Sequence, residues 1–84
     1  MKSDAQPLKL FVSFPEDQVA KPIVYELVKR FDVVPNIRRA NVEAHSGWMI
    51  LELSGGPEAR GAAISYLEGL GCTVNRMEGD VVAG

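Results

Sequence analysis

The order in which hydrophobic periodicity changes along this chain limits its folds more than any single residue does. From Leu8 to Phe14, the residues Leu8, Leu10, Val12 and Phe14 alternate with Lys9, Phe11 and Ser13, the period of two expected of a β-strand. Pro15-Glu16-Asp17 interrupts it, and residues 15–19 read as a loop. Ile23, Leu27, Val28 and Phe31 then recur at helical spacing, with Lys21, Glu26, Lys29 and Arg30 around them. Proline fits only the first turn of a helix, so Pro22 predicts a start near Val19 to Lys21.

Asp32 to Pro35 reads as a turn, followed by an extended segment from about Asn36 to Ala44. Ile37 is out of phase with Ala40, Val42 and Ala44, and this one-residue slip predicts a bulge near Arg38-Arg39. His45-Ser46-Gly47 makes a hairpin loop. Trp48 to Leu53 is apolar on both phases, Met49, Leu51 and Leu53 on one and Trp48 and Ile50 on the other, so both faces of this strand require cover. Ser54-Gly55-Gly56-Pro57 ends the strand and opens a second helix, whose face is marked by Ala63, Ile64, Leu67 and Leu70. Gly69 and Gly71 stop it, with Gly71 suited to a left-handed cap. Cys72 to Met77 is a last short strand.

The resulting string is β-α-β-β-α-β. With short links and right-handed crossovers it closes most economically as an α+β, ferredoxin-like sandwich, a four-stranded antiparallel sheet with two helices on one face. Leu8, Leu10, Val12, Met49, Leu51 and Leu53 are expected to face Ile23, Leu27, Phe31, Ala63, Leu67 and Leu70. Residues 8–77 form the domain, with tails at 1–7 and 78–84. At 84 residues the core is thin, which favours dimerisation.

Composition narrows the function classes. Nine basic residues against eleven acidic give a net charge of -2, against a dominantly electrostatic nucleic-acid binder. One cysteine makes no internal disulfide and suits a reducing compartment. No apolar run approaches a membrane span, and Met1 to Pro7 contains no apolar stretch of the signal-peptide kind, so a cytoplasmic protein is expected. His45 reads as an exposed turn residue without partners nearby in sequence, and Cys72 as a small buried hydrophobe. The first loop lacks the Cys-x-x-Cys of heavy-metal-binding domains, and no nucleophile–base pair stands at a suggestive spacing. No enzyme activity, metal or cofactor is therefore expected. Gly55-Gly56-Pro57 lacks the Lys-Ser/Thr of a phosphate loop. Arg38-Arg39 reads as solvated, with a small-anion site as the alternative.

Phe11, Trp48 and Ile50 are expected on the outer sheet face. An RNA-recognition domain stacks bases on such a face but carries a Lys/Arg-Gly-Phe run on its third strand, and Gly47-Trp48-Met49-Ile50-Leu51 has none. A protein–protein or dimer interface is the simpler reading of these three side chains.

Several segments together resemble the NIL domain family. They are Lys21-Pro22-Ile23, Arg30-Phe31-Asp32-Val33, Asn36-Ile37, Gly47 to Gly55, Ala62 to Leu67, and Gly71-Cys72-Thr73-Val74. NIL domains are ferredoxin-like regulatory modules at the C-terminus of methionine-importer ABC ATPases, where they bind methionine, pair with a twin and hold the importer inactive. The name-giving Asn-Ile-Leu triplet is Asn36-Ile37-Arg38 here, so its third position departs. No Walker motif precedes the segment, and a free-standing form is expected. The resemblance implies ligand recognition by Asn36, whose amide can donate to a carboxylate and accept from an ammonium. Ile37, Arg38, Val42 and Met49 complete the expected site, Arg38 either as a carboxylate clamp or as a change that alters or removes the methionine site, and Met49 against a thioether, although Met49 equally fits the core. It further implies a homodimer, an amino-acid ligand such as methionine, and a partner from a transporter or a sulfur pathway. The alternative is a ligand-free adaptor related to NIL segments joined to ferredoxins in homocysteine-forming systems.

Overall fold

The computed structural model describes residues 6–77. Strand β1 (Leu8–Phe14) is followed by a single 3-10 turn (Glu16–Gln18), helix α1 (Ile23–Arg30), strands β2 (Val33–Val42) and β3 (Gly47–Gly55), helix α2 (Pro57–Gly69) and strand β4 (Thr73–Arg76). The sheet is antiparallel with spatial order β2-β3-β1-β4, so the chain forms the α+β, ferredoxin-like sandwich that its periodicity predicts. The expected tails lie, apart from Gln6 and Pro7, outside the described residues.

The core lies between the helices and one sheet face. Leu10, Val12, Leu51, Leu53, Leu27 and Leu67 are fully buried, and Met49, Ile23 and Ala63 nearly so. Burying a side chain of this size contributes about 1.5–3 kcal/mol, so these residues carry most of the apolar stabilisation. Leu8, Phe31 and Leu70 are half-buried and pack at the margin of the cluster. Helix α2 ends as its glycines predict. The Cys72 N–H donates to the Leu67 carbonyl at 3.1 Å and the Gly71 N–H to that of Glu68 at 3.0 Å, with Gly71 at φ 95°. The Cys72 thiol is buried, and desolvation, with the negative charge of Asp17 adding, holds its pKa above the ordinary value.

Several boundaries differ from expectation: β3 runs Gly47–Gly55 where Trp48–Leu53 was expected, β4 is Thr73–Arg76 within the expected Cys72–Met77, and the larger differences lie in α1 and β2. Helix α1 begins at Ile23, because Pro15 to Gln18 folds into its own 3-10 turn and Pro22 serves as the N-cap. Strand β2 begins at Val33, not Asn36, and ends at Val42, not Ala44. The expected Asp32–Pro35 turn is thus largely strand. Pro35 is tolerated because β2 is an edge strand, with a neighbour on one side only. Val33 consequently joins the core opposite Gly55, while Val28, counted with the apolar stripe of α1, is exposed on its outer side.

The bulge expected in β2 is present. Ile37 pairs with Leu51 and Arg39 with Ile50, leaving Arg38 as the extra residue. A bulge reverses side-chain parity, so Ile37 before it and Ala40 and Val42 after it share the face of the buried Leu51 and Met49. The irregular sequence pattern and the kink have one cause.

Candidate functional site

A cavity of about 240 Å³ opens between the start of α1 and the second half of β2. Ile37, Ala40 and Val42 of β2 form one wall, and Gln18, Val19 and Lys21 from the connection after β1 form the other. Met49 and Ile23 line it from the core, and Phe14, Pro22, Val24 and Tyr25 complete it. This volume is far above the ~30 Å³ share of one water and just below the range typical of drug-sized ligands. Its lining is predominantly apolar. Ile37, Val42 and Tyr25 around it are about half exposed or more, so it opens toward the free edge of the sheet.

The wall formed by residues 15–21 is held in shape by backbone bonds. The Gln18 N–H donates to the Pro15 carbonyl at 2.9 Å, and the Lys21 N–H to the Gln18 carbonyl at 3.1 Å. At the tip of this segment Glu16 Oε2 lies 2.6 Å from His45 Nδ1 in the β2–β3 loop. The two walls are therefore tied together across their mouths by exposed side chains. His45 is exposed as expected, and its partner comes from 29 residues away, beyond the reach of local sequence reasoning.

Gln18 is the one buried polar residue among the described residues, only 6 % exposed. Its side-chain oxygen Oε1 is sealed from solvent and has no hydrogen-bond partner. An orphaned buried acceptor of this kind costs about 1–3 kcal/mol. Gln18 also borders a second, more polar hollow on the far side of Pro22, where Glu26 and Arg30 pair at 2.9 Å and Arg30 stands over the Tyr66 ring. The Glu26 hydrogen bond, with a smaller contribution from Tyr66, holds the Arg30 guanidinium above its ordinary pKa.

The five residues expected to bind ligand divide between the two sheet faces. Ile37, Val42 and Met49 line the cavity. Asn36 is opposite Glu52 in the register and so stands on the outer face, and Arg38, from the bulge, reaches Glu52 at 3.8 Å. An ion pair this long and exposed contributes at most about 1 kcal/mol. The alternation of a strand enforces the split, since Asn36 and Ile37 are neighbours and point to opposite sides. Sequence reasoning missed Gln18 and the remainder of the wall. A glutamine in a loop carries no signal of burial, and the cavity arises only when α1 packs against β2.

The outer face carries the other expected cluster. Phe11 pairs with Ile50 and Ser13 with Trp48 in the β1–β3 register, and the Phe11 and Trp48 rings stack with centroids 5.5 Å apart. All three apolar side chains are half-buried at the centre of the sheet. Among the described residues no group of three or more His, Cys, Asp or Glu could hold a metal, and no helix is long and apolar enough to cross a membrane.

A family model for the NIL domain matches residues 10–76, from the middle of β1 to the end of β4. The chain belongs to the NIL domain family. A comparison with curated proteins gives no match. Among solved structures, this NIL domain is similar to the C-terminal domain of an ABC transporter ATP-binding protein from Enterococcus faecalis. The TM-score is 0.76 at 21 % identity, over 87 % of this chain and 86 % of that one. At that identity the likeness establishes the fold.

Proposed function

We propose that this NIL domain is a non-catalytic, cytoplasmic regulatory module that binds a small amino acid, methionine first among them, in the cavity between α1 and β2. Residues 8–77 act as the module, and residues 1–7 and 78–84 as tails. The observation that carries the reading is the cavity itself: a largely apolar hollow of about 240 Å³ with Met49 at its base and Ile37 and Val42 on its open side. An unbranched thioether chain suits such a site, because polarisable sulfur packs well against methionine and aliphatic carbons.

Binding is transmitted by pairing. The edge strand β2 has room for a neighbour, and a second copy or a partner protein placed there would meet the cavity mouth, Asn36 and Arg38 together. Asn36 and Arg38 stand on the sheet face opposite the cavity, so at the junction their amide and guanidinium are offered to a carboxylate of the partner and not to the ligand in the cavity. A ligand that fits one arrangement better than another shifts the population toward it. A transporter ATP-binding protein is the proposed partner class, following the similarity of fold.

Isothermal titration with methionine, read alongside sedimentation with and without it, tests this directly. Saturable heat and a change in association state are expected. Absence of heat at millimolar methionine contradicts the methionine reading.

A second reading, a ligand-free adaptor in a transporter or sulfur pathway, is favoured by the Phe11–Trp48 stack and Ile50 on the outer face. For this reading Trp48→Ala abolishes association and Ile37→Asp leaves it intact, while the first reading gives the reverse.

A further inference from the structure

We infer that the outer face of the sheet is a docking platform for an acidic amphipathic helix of a partner protein, its apolar seam on Phe11, Trp48 and Ile50 and its carboxylates on Arg39 and the neighbouring β2 row. The inference rests on the adaptor reading, in which this face carries association, and adds the shape and charge of the partner; it stands whether or not the cavity binds a ligand.

The shape of the face selects a helix. Both helices of the chain pack on the other side, where the core lies, and among the described residues nothing covers this one. Phe11 of β1 stands opposite Ile50 of β3, and Trp48 stacks on Phe11, so the apolar surface here lies on the two central strands. The rows beside it are polar and exposed: Arg39 and Asn41 on β2, opposite Ile50 and Trp48, and Thr73 and Asn75 on β4, opposite Ser13 and Phe11. Two strands at their usual spacing make a patch about 10 Å wide, the diameter of one α-helix. A second sheet laid face to face would bury these polar rows as well.

Charge selects the rim of that helix. The chain as a whole carries -2. Within the four strands, however, this face carries Lys9, Arg38 and Arg39 against Glu52 alone. Glu52 is already held by Arg38 at 3.8 Å, and Glu43, just beyond the end of β2, takes a hydrogen bond from Asn41 at 3.2 Å. Arg39 adjoins the apolar patch at Ile50, is exposed, and has no ion-pair partner among the described residues. An unpaired guanidinium beside aromatic rings is the composition of an interface hot spot, and its complement is a carboxylate. The same excess of positive charge disfavours a second copy of this face as the occupant.

The test uses the full chain and two synthetic helical peptides of about 18 residues, alike in a leucine seam at helical spacing and differing in a glutamate or a lysine rim. Oligouridylate is the third probe. Trp48 is the only tryptophan, so its emission reports on the face. The glutamate-rimmed peptide is expected to saturate with a blue-shifted emission and to bind at least roughly tenfold more tightly than the lysine-rimmed one, the difference shrinking as salt rises. Arg39→Glu, an exposed change expected to leave the urea midpoint in place, should abolish or reverse that preference, and Ile37→Asp on the opposite face should leave it unchanged. Equal or tighter binding of the lysine-rimmed peptide overturns the inference and leaves the adaptor reading standing. A preference that survives Arg39→Glu, or that Ile37→Asp removes, overturns it by placing the helix elsewhere. Saturable binding of oligouridylate with neither peptide bound overturns it in favour of a nucleic acid. If none of the three probes moves the Trp48 emission, the inference and the adaptor reading both fall.

Discussion

The two ends of the core are built from the same materials and finished differently. Under α2, Ala63, Ile64 and Leu67 press against the sheet beside Leu10, Leu51 and Leu53 and leave little exposed. Under α1, only Ile23 and Leu27 are buried, Tyr25 and Val28 face out, and a cavity remains against β2. A close-packed interior resists change, whereas a hollow lined with unfilled contacts lowers its free energy by taking something in. The α2 end therefore holds the fold, and the proposed ligand site lies at the α1 end.

The largest test of this division falls on the closed end. Leu67→Ala should cost about 2–5 kcal/mol by urea unfolding, the range for a fully buried leucine with little room to relax. A loss under ~1 kcal/mol would mean that the α2 end is as loose as the other. Next comes the junction where β3 turns toward α2. Gly55 sits at φ 136°, and a Cβ there would meet the Asp32 carbonyl at 2.7 Å, so Gly55→Ala should cost about 1–3 kcal/mol. Trp48→Ala should cost about 1–2 kcal/mol, combining the lost Phe11 stack with partial burial, and should leave methionine binding unchanged.

On the open end the order of effects inverts. Ile37→Asp, at a position 47 % exposed, should change stability by no more than about 0.5 kcal/mol and weaken methionine binding by about tenfold or more. Binding that survives Ile37→Asp would place the ligand elsewhere. The smallest effect concerns Cys72. Its pKa is raised by burial, so the contribution of the neutral thiol is fully present below the unfolded thiol pKa near ~8.5 and is lost as pH rises through the folded value. Wild-type stability should decline over that alkaline window more steeply than that of Cys72→Ala, as read by unfolding at successive pH values.

Much of the fold was legible because periodicity reports which face is buried. The β-α-β-β-α-β order, the start of α2 at Pro57 and its left-handed Gly71 just past the end, and the bulge at Arg38 all follow from local pattern. The start of β2 was misread because Pro35 ordinarily marks a turn, and only its place on an edge strand lets it stay extended. Val28 was misread because helical spacing does not say how wide a stripe the sheet will cover. The site was legible in fragments. Ile37, Val42 and Met49 meet around the cavity, yet Asn36 lies across the sheet from them, since alternation separates what the triplet joins. Gln18 had no local signal at all. Its burial depends on a 3-10 turn that brings it against α1 and on the packing of α1 against β2.

The central claim, that the open end of the core is the ligand site, is tested most directly by methionine titration of the methyl-labelled protein followed by NMR. The methyl signals of Ile37, Val42, Met49 and Ile23 should move together and saturate, while the Trp48 indole and the Leu67 methyls stay in place. A response confined to the Trp48 face, or none at the four cavity methyls, would contradict it.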